Sequence, residues 1–292
     1  MEHLPRVRAR VALHTRRPVR GLLDGEHVAS QVGRGMDFND LRDYVRGDDT
    51  KDIDWKASAR TGGLLVKRYE AVRRHTLLLV LASGRSMAAH LTPDAVKRDV
   101  AVVVAGLVGL GAISHGDRIM MAVGDGGDPQ VVEPGSGELH LERCLGTYHD
   151  ATSLDSRAGD LEALLLHVAR VVRRRTIMLV VCDEDELDEP TATVLRRLSV
   201  QHEVLLIALS DLDPTRVTRS RVHDVDTGRA LPDWVRHDRV LARDYAAART
   251  QAQQEMGTRL DSLGIVHERV HDEPGAVAAV HRLLERQRRA PR

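Results

Sequence analysis

The chain has 292 residues and carries 43 basic and 43 acidic residues, so its formal net charge is zero. A hydrophobic fraction of 42% and a charged fraction of 29% are typical of a globular protein and exclude a disordered or fibrous chain. The balanced charge gives no support for a global attraction to nucleic acid or to a membrane surface.

The first 75 residues show no helical periodicity and contain short β-like pieces such as residues 63–69. They also hold four of the seven aromatic residues, namely Phe38, Tyr44, Trp55 and Tyr69. Aromatic rings contribute large apolar areas to a core, and this chain has few of them. We therefore predict that residues 1–75 form a small β-rich subdomain packed around these rings.

From residue 76 onward, apolar stretches with the length of strands alternate with longer helical segments. Strands are predicted over residues 76–83, 117–124, 130–133, 176–182, 203–209 and 265–270. Helices are predicted over residues 93–114 (with Thr92 as the N-cap), 137–145, 160–174, 191–200, 241–263 and 276–289. This alternation predicts an α/β fold, in which a mostly parallel sheet is flanked by helices and binds ligands beyond the carboxyl ends of its strands.

Cysteine content and apolar runs indicate where the protein resides. Cys144 and Cys182 are too few for a disulfide framework, and no apolar stretch follows the charged N-terminus as in a signal peptide. The longest uncharged apolar run, residues 100–113, would extend about 21 Å as a helix, less than the ~30 Å of a bilayer core. We therefore expect a cytoplasmic protein in which this run is a buried helix and not a membrane span.

A dense motif lies between Gly33 and Thr61 and reads GRGMDFNDLRDYVRGDDTKDIDWKASART. More than a dozen of its positions, in order, resemble the domain-of-unknown-function 58 family. The matching pieces are Gly33-Arg34-Gly35, Phe38, Leu41-Arg42, Tyr44, Gly47-Asp48-Asp49, Ile53-Asp54-Trp55 and Ser58-Ala59-Arg60-Thr61. Weaker similarity continues through the rest of the chain, including Asp226-Thr227-Gly228 and Tyr245.

The resemblance implies both an architecture and a partner. It implies a β-rich signature segment at residues 1–75, followed by a von Willebrand factor A-like α/β domain at residues 76–292. Members of the family often accompany a MoxR-type AAA ATPase, so the resemblance implies such an ATPase as the protein partner. We accordingly expect a non-enzymatic interaction module or adaptor, which works in complex assembly or maturation and needs no cofactor.

The signature segment mixes acidic and basic side chains at a density that favours an ion-pair network around the aromatic rings. Gly47-Asp48-Asp49 is typical of a turn, and an arginine side chain suits bidentate contact with a carboxylate. Such a network either fixes a loop-rich subdomain or forms a docking surface for a partner. The residues that we expect to form the docking surface are Arg42, Tyr44, Asp48, Asp49, Asp54, Trp55 and Arg60.

An enzymatic alternative rests on the same segment. The four acids between Asp48 and Asp54 could gather a divalent ion, with Glu70 and Lys67 completing a nuclease-like cluster, which would make the protein a metal-dependent hydrolase. However, the spacing of these acids is not that of an EF-hand loop, and the lysines among them would compete with a metal. We therefore assign no catalytic residue.

The von Willebrand A-like domain implied by the resemblance usually holds Mg²⁺ at an Asp-x-Ser-x-Ser motif after its first core strand. The corresponding stretch is Ala82-Ser83-Gly84-Arg85-Ser86, in which the Asp position is Ala82 and the first Ser position is Gly84. We therefore predict a degenerate site without metal, whose remnants are Ser86, Asp183 and either Thr152 or Ser153. As a hypothesis, Arg85 replaces the ion by pairing with Asp183.

Three further patterns bear on function. His267-Glu268-Arg269-Val270-His271 matches a zinc-protease pattern, but it reads as a strand, which would hold the two imidazoles roughly 13 Å apart. Ser86 lacks the Gly-x-Ser-x-Gly frame of a serine hydrolase, and Cys182 is expected to be a packed thiol. Arginine-rich ends, at residues 1–20 and 282–292, leave a nucleic-acid or membrane-surface protein as a third hypothesis.

Overall fold

A computed structural model describes residues 2–14, 36–45, 48–71, 75–217 and 222–289, without the side chains of residues 13–14, 36–40 and 67–71. The chain divides into two compact units. The smaller unit comprises residues 24–74, and the larger unit comprises residues 1–23 together with residues 75–292.

The described helices and strands follow the predicted alternation after residue 75. The helices are α1 (His3–His14), α2 (Trp55–Thr61), α3 (Lys97–Ser114), α4 (Glu138–Ala151), α5 (Leu161–Val171), α6 (Glu189–Gln201), α7 (Arg239–Ser262) and α8 (Gly275–Arg289). The strands are β1 (Met36–Asp43), β2 (Leu65–Ala71), β3 (Thr76–Ala82), β4 (His90–Thr92), β5 (Ala95–Val96), β6 (Arg118–Gly124), β7 (Gln130–Gly135), β8 (Ile177–Asp183), β9 (Glu203–Leu209) and β10 (Val266–Val270).

The smaller unit is a β-hairpin with a short helix between its strands. β1 and β2 pair in antiparallel fashion, with a register shift between Phe38 and Asp40. The helix α2 begins at the N-cap Asp54 and ends at Gly62, whose φ of 77° is left-handed and therefore suits glycine. The β-like piece predicted at residues 63–69 is confirmed as β2, but neither α1 nor α2 was predicted from the sequence.

The larger unit is built on a six-stranded sheet in the order β10-β9-β8-β3-β6-β7. All neighbours are parallel except β6 and β7, which pair in antiparallel fashion at one edge. β3, β8 and β9 are buried along their whole length after the first residue, which explains their continuous apolar sequences. The predicted fold class, an α/β protein with a mostly parallel sheet flanked by helices, is confirmed.

Helices cover both faces of this sheet. α3, α4 and α8 pack on one face and α1 packs against them, while α5, α6 and α7 lie on the other. The apolar run at residues 100–113 lies within α3, which is buried along most of its length. No helix in the described part of the chain is both long enough and apolar enough to cross a membrane.

The start of α3 corrects the sequence prediction. Residues 90–96 form a small antiparallel hairpin, β4 and β5, and the helix begins only at Lys97. Thr92 is therefore not its N-cap; that position is Val96, which has no side-chain cap. Pro93 is compatible with the first turn of a helix and equally with a tight turn, so the local sequence does not distinguish the two.

Candidate functional site

The carboxyl ends of β3, β8 and β9 meet at one edge of the sheet, because these neighbouring strands are parallel. This strand-end face carries Ala82 at the end of β3 and Asp183 at the end of β8. Asp211 follows β9 after one residue. The helix α3 contributes its first residue, Lys97.

Lys97 is the cation of the strand-end face. Its ammonium Nζ lies 2.5 Å from Oδ2 of Asp183 and forms a second ion pair with Oδ1 of Asp211. The Lys97 side chain is 0% exposed and that of Asp183 is 2% exposed. Burial alone lowers the pKa of Lys97, but attraction to the two carboxylates outweighs it, so the pKa is raised and the ammonium stays charged.

More carboxylates than cations meet here. One oxygen each of Asp183, Asp185 and Asp211 lies within 4.8 Å of the others, and Lys97 is the only cation paired with them among the described residues. Burial, together with the charge of Asp183, raises the pKa of Asp211 to about 7, and the same causes raise the pKa of Asp185. The face therefore has a surplus of negative charge.

Glu186 and Ser86 lie beside this cluster. The backbone N–H of Asp183 donates to Oε2 of Glu186 at 3.4 Å, and Oδ1 of Asp183 accepts from the backbone of Asp185, which together cap the turn that follows β8. Oε1 of Glu186 and Oγ of Ser86 are buried and have no hydrogen-bond partner within the described chain. Burial, and then the charge of Asp183, raises the pKa of Glu186 to about 7.

The backbone at Gly84 leaves no space for a side chain. A Cβ atom added there would lie 2.4 Å from both N and Cα of Gly159, in the loop before α5. The neighbouring Arg85 is held by the same loop, because its backbone N–H donates to Arg157 O at 2.9 Å and its Nε donates to Ser156 O at 3.1 Å. The hypothesis that Arg85 pairs with Asp183 is therefore wrong, and Lys97 makes that pair instead.

The residues present do not fit the usual magnesium site of a von Willebrand A-like domain. Ala82 and Gly84 supply no oxygen from a side chain. The hydroxyl of Thr152, at the C-cap of α4, donates to Tyr148 O at 2.9 Å and is buried there. The predicted remnants Ser86 and Asp183 do lie at the strand-end face, but an ammonium is bound where Asp183 would meet a metal.

In the smaller unit, an ion pair joins Arg42 to Asp48. NH1 and NH2 of Arg42 donate to Oδ2 and Oδ1 of Asp48 at 2.9 and 2.6 Å, and the backbone N–H of Val45 also donates to Oδ2. The hydrogen bonds from Arg42 lower the pKa of Asp48 and raise the pKa of Arg42 itself. This pair links Asp48 to the end of β1.

The other predicted acids serve as caps. Asp49 accepts from the backbone N–H of Lys51 at the start of a short 3-10 turn, and Asp54 accepts from two N–H groups at the start of α2. Within the described residues, Asp183, Asp185 and Asp211 form the only acidic group close enough to share one ion, and the acids from Asp48 to Asp54 do not. The side chains of Glu70 and Lys67 lie outside the described part.

The aromatic side chains are not all packed, contrary to the sequence prediction. Trp55 is 65% exposed and Tyr44 is half-buried, while the side chains of Phe38 and Tyr69 lie outside the described part. Arg60, another predicted docking residue, is exposed.

Two more apolar side chains of the smaller unit, Val45 and Leu64, are exposed. Backbone hydrogen bonds from Tyr44 to Leu64 and from Asp54 to Leu65, both 2.9 Å, bring these segments side by side. The smaller unit therefore exposes three apolar side chains on neighbouring segments, which we call the Trp55 surface and define as Val45, Trp55 and Leu64.

The remaining predicted patterns have structural roles in the described chain. The zinc-protease pattern lies on β10 up to Val270, with His271 directly after the strand, and not on a helix. In α1, Arg8 pairs with Glu138 and Arg10 pairs with Glu273, both at 2.6 Å. In α8, Arg282 pairs with Glu268 at 2.9 Å. Five of the described arginines near the two ends therefore already pair with carboxylates, namely Arg6, Arg8, Arg10, Arg282 and Arg286.

Lys97, Asp211 and Glu186 were not predicted as site residues. Lys97 and Asp183 are 86 positions apart in the sequence, and no short motif joins them. The sequence signal that could have predicted Lys97 is its place at the start of a long apolar helix, because a charged side chain that is buried needs a partner of opposite charge.

The sheet order, the antiparallel edge strand and the helices on both faces define an α/β protein with a mostly parallel six-stranded sheet. The chain belongs to the family described as protein of unknown function DUF58, whose model matches residues 40–256. The resemblance identified from the signature motif is therefore confirmed.

Three mycobacterial proteins are similar to this chain in sequence. The chain is 30% identical over 236 residues to uncharacterized proteins of Mycobacterium bovis and of two strains of Mycobacterium tuberculosis, a match that covers 78% of this chain and 72% of each relative. A solved von Willebrand factor type A structure from Catenulispora acidiphila matches with a TM-score of 0.43 and 11% identity. That match covers 74% of this chain and 42% of the solved chain.

Proposed function

We propose that this chain is a non-enzymatic interaction module or adaptor, which binds a partner protein through the Trp55 surface. The exposure of Trp55 carries this proposal. Tryptophan is rare in this sequence, which has two, and the exposed indole, with exposed Val45 and Leu64 on neighbouring segments, is of the kind that marks a protein interface. Tryptophan is also the residue type most enriched among the energetic centres of protein interfaces.

The acids of the signature segment support binding over catalysis. Asp48, Asp49 and Asp54 each accept hydrogen bonds from neighbouring groups, which fixes the loops around the Trp55 surface. A hydrolytic metal site needs carboxylates that converge on one point, and these do not converge in the described chain. The exposed Arg60 and Lys56 supply a polar rim of the kind that surrounds an apolar interface centre.

The proposed partner is a MoxR-type AAA ATPase, with the module acting in complex assembly or maturation. The family resemblance supports this partner. A cytoplasmic location belongs to the same proposal, since Cys144 and Cys182 are both free buried thiols. Such a location would place the module in the compartment where ATP is available.

The experiment measures binding of the full chain to the MoxR-type ATPase of the same organism by isothermal titration calorimetry. We expect Trp55→Ala to weaken binding at least about tenfold, a loss of about 1.4 kcal/mol or more. Trp234→Ala is the matched control, because Trp234 is 61% exposed but lies in the larger unit. We expect this control to bind like the wild type.

Two results would count against the proposal. If the wild-type chain does not bind the ATPase, the proposed partner is wrong. If both tryptophan variants bind as tightly as the wild type, the Trp55 surface is not the docking site.

A further inference from the structure

Lys97 occupies an unfavourable place for a lysine. It is the first residue of α3, an 18-residue helix, and the positive end of the helix dipole repels a cation there. Its side chain is nevertheless fully buried, which costs further free energy unless the charge is paired. Neither helix stability nor solubility accounts for this lysine, so its role lies in what its ammonium contacts.

The hairpin β4–β5 positions this ammonium. The backbone N–H of Lys97 donates to Ala89 O at 3.0 Å, which closes the hairpin and sets the start of α3. The hairpin is also joined to the loop after β9, since the N–H of Leu212 donates to His90 O at 3.2 Å. These contacts bring the first residue of the helix to the ends of β8 and β9, where Asp183 and Asp211 lie.

We propose that the Lys97 ammonium takes the place of a divalent cation at the strand-end face and makes that face independent of metal. Asp183, Asp185 and Asp211 then form a latent divalent-cation site, which Lys97 keeps closed. Carboxylate oxygens are the ligands that Mg²⁺ and Mn²⁺ prefer, and these three lie close enough together to share one ion. The ammonium already lies against two of them.

The charge balance favours a divalent ion at this site once the ammonium is removed. One ammonium neutralises one of the three carboxylates, and the negative charge of Asp183 adds to burial in raising the pKa values of Asp185 and Asp211. A divalent ion would neutralise two carboxylates, but it cannot enter while the ammonium fills the space between Asp183 and Asp211. This proposal concerns the larger unit and does not depend on the Trp55 surface.

The test is a thermal melt of the full-length chain in EDTA, and then in MgCl₂ or MnCl₂ at millimolar concentration. We expect the wild type to melt at the same temperature in all three solutions. Lys97→Ala removes the charge and opens space, so it should melt lower in EDTA and gain at least about 4 °C with Mn²⁺ or Mg²⁺. Lys56→Ala is the control, because Lys56 is exposed, and it should show no response to metal.

A second variant checks the site. Lys97→Ala combined with Asp211→Asn removes one of the three ligands and should lose most of the metal response. A metal-dependent rise in the wild type would overturn the proposal, and so would a folded Lys97→Ala chain that ignores both ions. A Lys97→Ala chain that is unfolded in EDTA but folds in Mn²⁺ supports it, whereas one that stays unfolded in every solution overturns it.

Discussion

One carboxylate oxygen of Glu186 accepts a hydrogen bond from the backbone N–H of Asp183. The other oxygen is buried and has no hydrogen-bond partner in the described chain. Its pKa is raised to about 7, first by burial and then by the charge of Asp183. A carboxyl group whose pKa is higher in the folded state than in the unfolded state binds more protons when folded. Between the two pKa values, the free energy of unfolding therefore falls as the pH rises, and the loss is complete above the folded pKa.

We accordingly predict that Glu186→Gln flattens the pH dependence of stability. The amide mimics the protonated carboxyl and cannot ionise, so the variant should gain up to about 3 kcal/mol over the wild type above pH 7. Near pH 5 the two proteins should be nearly equal. The measurement is urea unfolding at a series of pH values from about 5 to about 8.

Glu255→Gln is the control for this prediction, because Glu255 is exposed on α7, and it should follow the wild-type pH profile. If Glu186→Gln loses stability with rising pH as steeply as the wild type, ionisation of Glu186 is not the cause. Asp211, whose pKa is also raised to about 7, would then be the group to replace next.

At the scale of single residues, the missing metal ligands of the strand-end face were easier to predict from the sequence than the lysine that replaces the metal. Ala82 and Gly84 can be read directly as missing ligands, because the motif that they interrupt is contiguous. Lys97 could not be read in this way, since Asp183 ends β8, Asp211 follows β9, and only the folded sheet brings them to Lys97. Proximity in the sequence therefore favoured Arg85 as the replacement cation, but its guanidinium donates to Ser156 O in another loop.

Among the secondary-structure elements, buried strands were the most predictable. β3, β8 and β9 are continuous apolar stretches bounded by polar residues, a pattern that arises because helices cover both faces of a parallel sheet. The hairpin at residues 90–96 was missed because its strands have only three and two residues. Strands this short show no periodicity, and the contacts that stabilise them come from distant loops.

The loops after β3 and before α5 pack backbone against backbone at Gly84 and Gly159. We predict that Gly84→Ser, which restores a serine of the usual metal motif, lowers the free energy of unfolding by about 1–3 kcal/mol. The added Cβ would lie 2.4 Å from Gly159 N and Cα, and backbone atoms cannot move aside as a flexible side chain can. Urea unfolding of the variant measures the loss.

Gly111→Ala provides the control for this substitution. Gly111 lies within α3 and an added Cβ there meets nothing within 4 Å. Alanine has the better helix propensity, so this variant should be as stable as the wild type or more stable by up to about 1 kcal/mol. Equal stability of Gly84→Ser and the wild type would show that the two loops can separate freely.

For the whole molecule, the N-terminal helix joins the larger unit, whereas the pattern of residues 1–75 predicted a single segment. Leu4 and Val7 of α1 are buried against the larger unit. Gly106 of α3 permits this approach, since a Cβ there would lie 2.7 Å from Cγ2 of Val7. The Glu142 carboxylate of α4 accepts from the backbone N–H of Leu4 at 2.8 Å and so caps the start of α1.

The division of the chain therefore predicts the behaviour of two shortened proteins. A chain in which a flexible Gly/Ser linker replaces residues 24–74 keeps α1, and its larger unit should melt near the temperature of the same unit in the full chain. Residues 75–292 alone lack Leu4 and Val7, whose burial stabilises by about 2 kcal/mol each. This fragment should melt about 10 °C lower than the linked chain, as measured by circular dichroism. Equal melting temperatures would show that α1 adds nothing to the stability of the larger unit and that the boundary near residue 75 is sufficient.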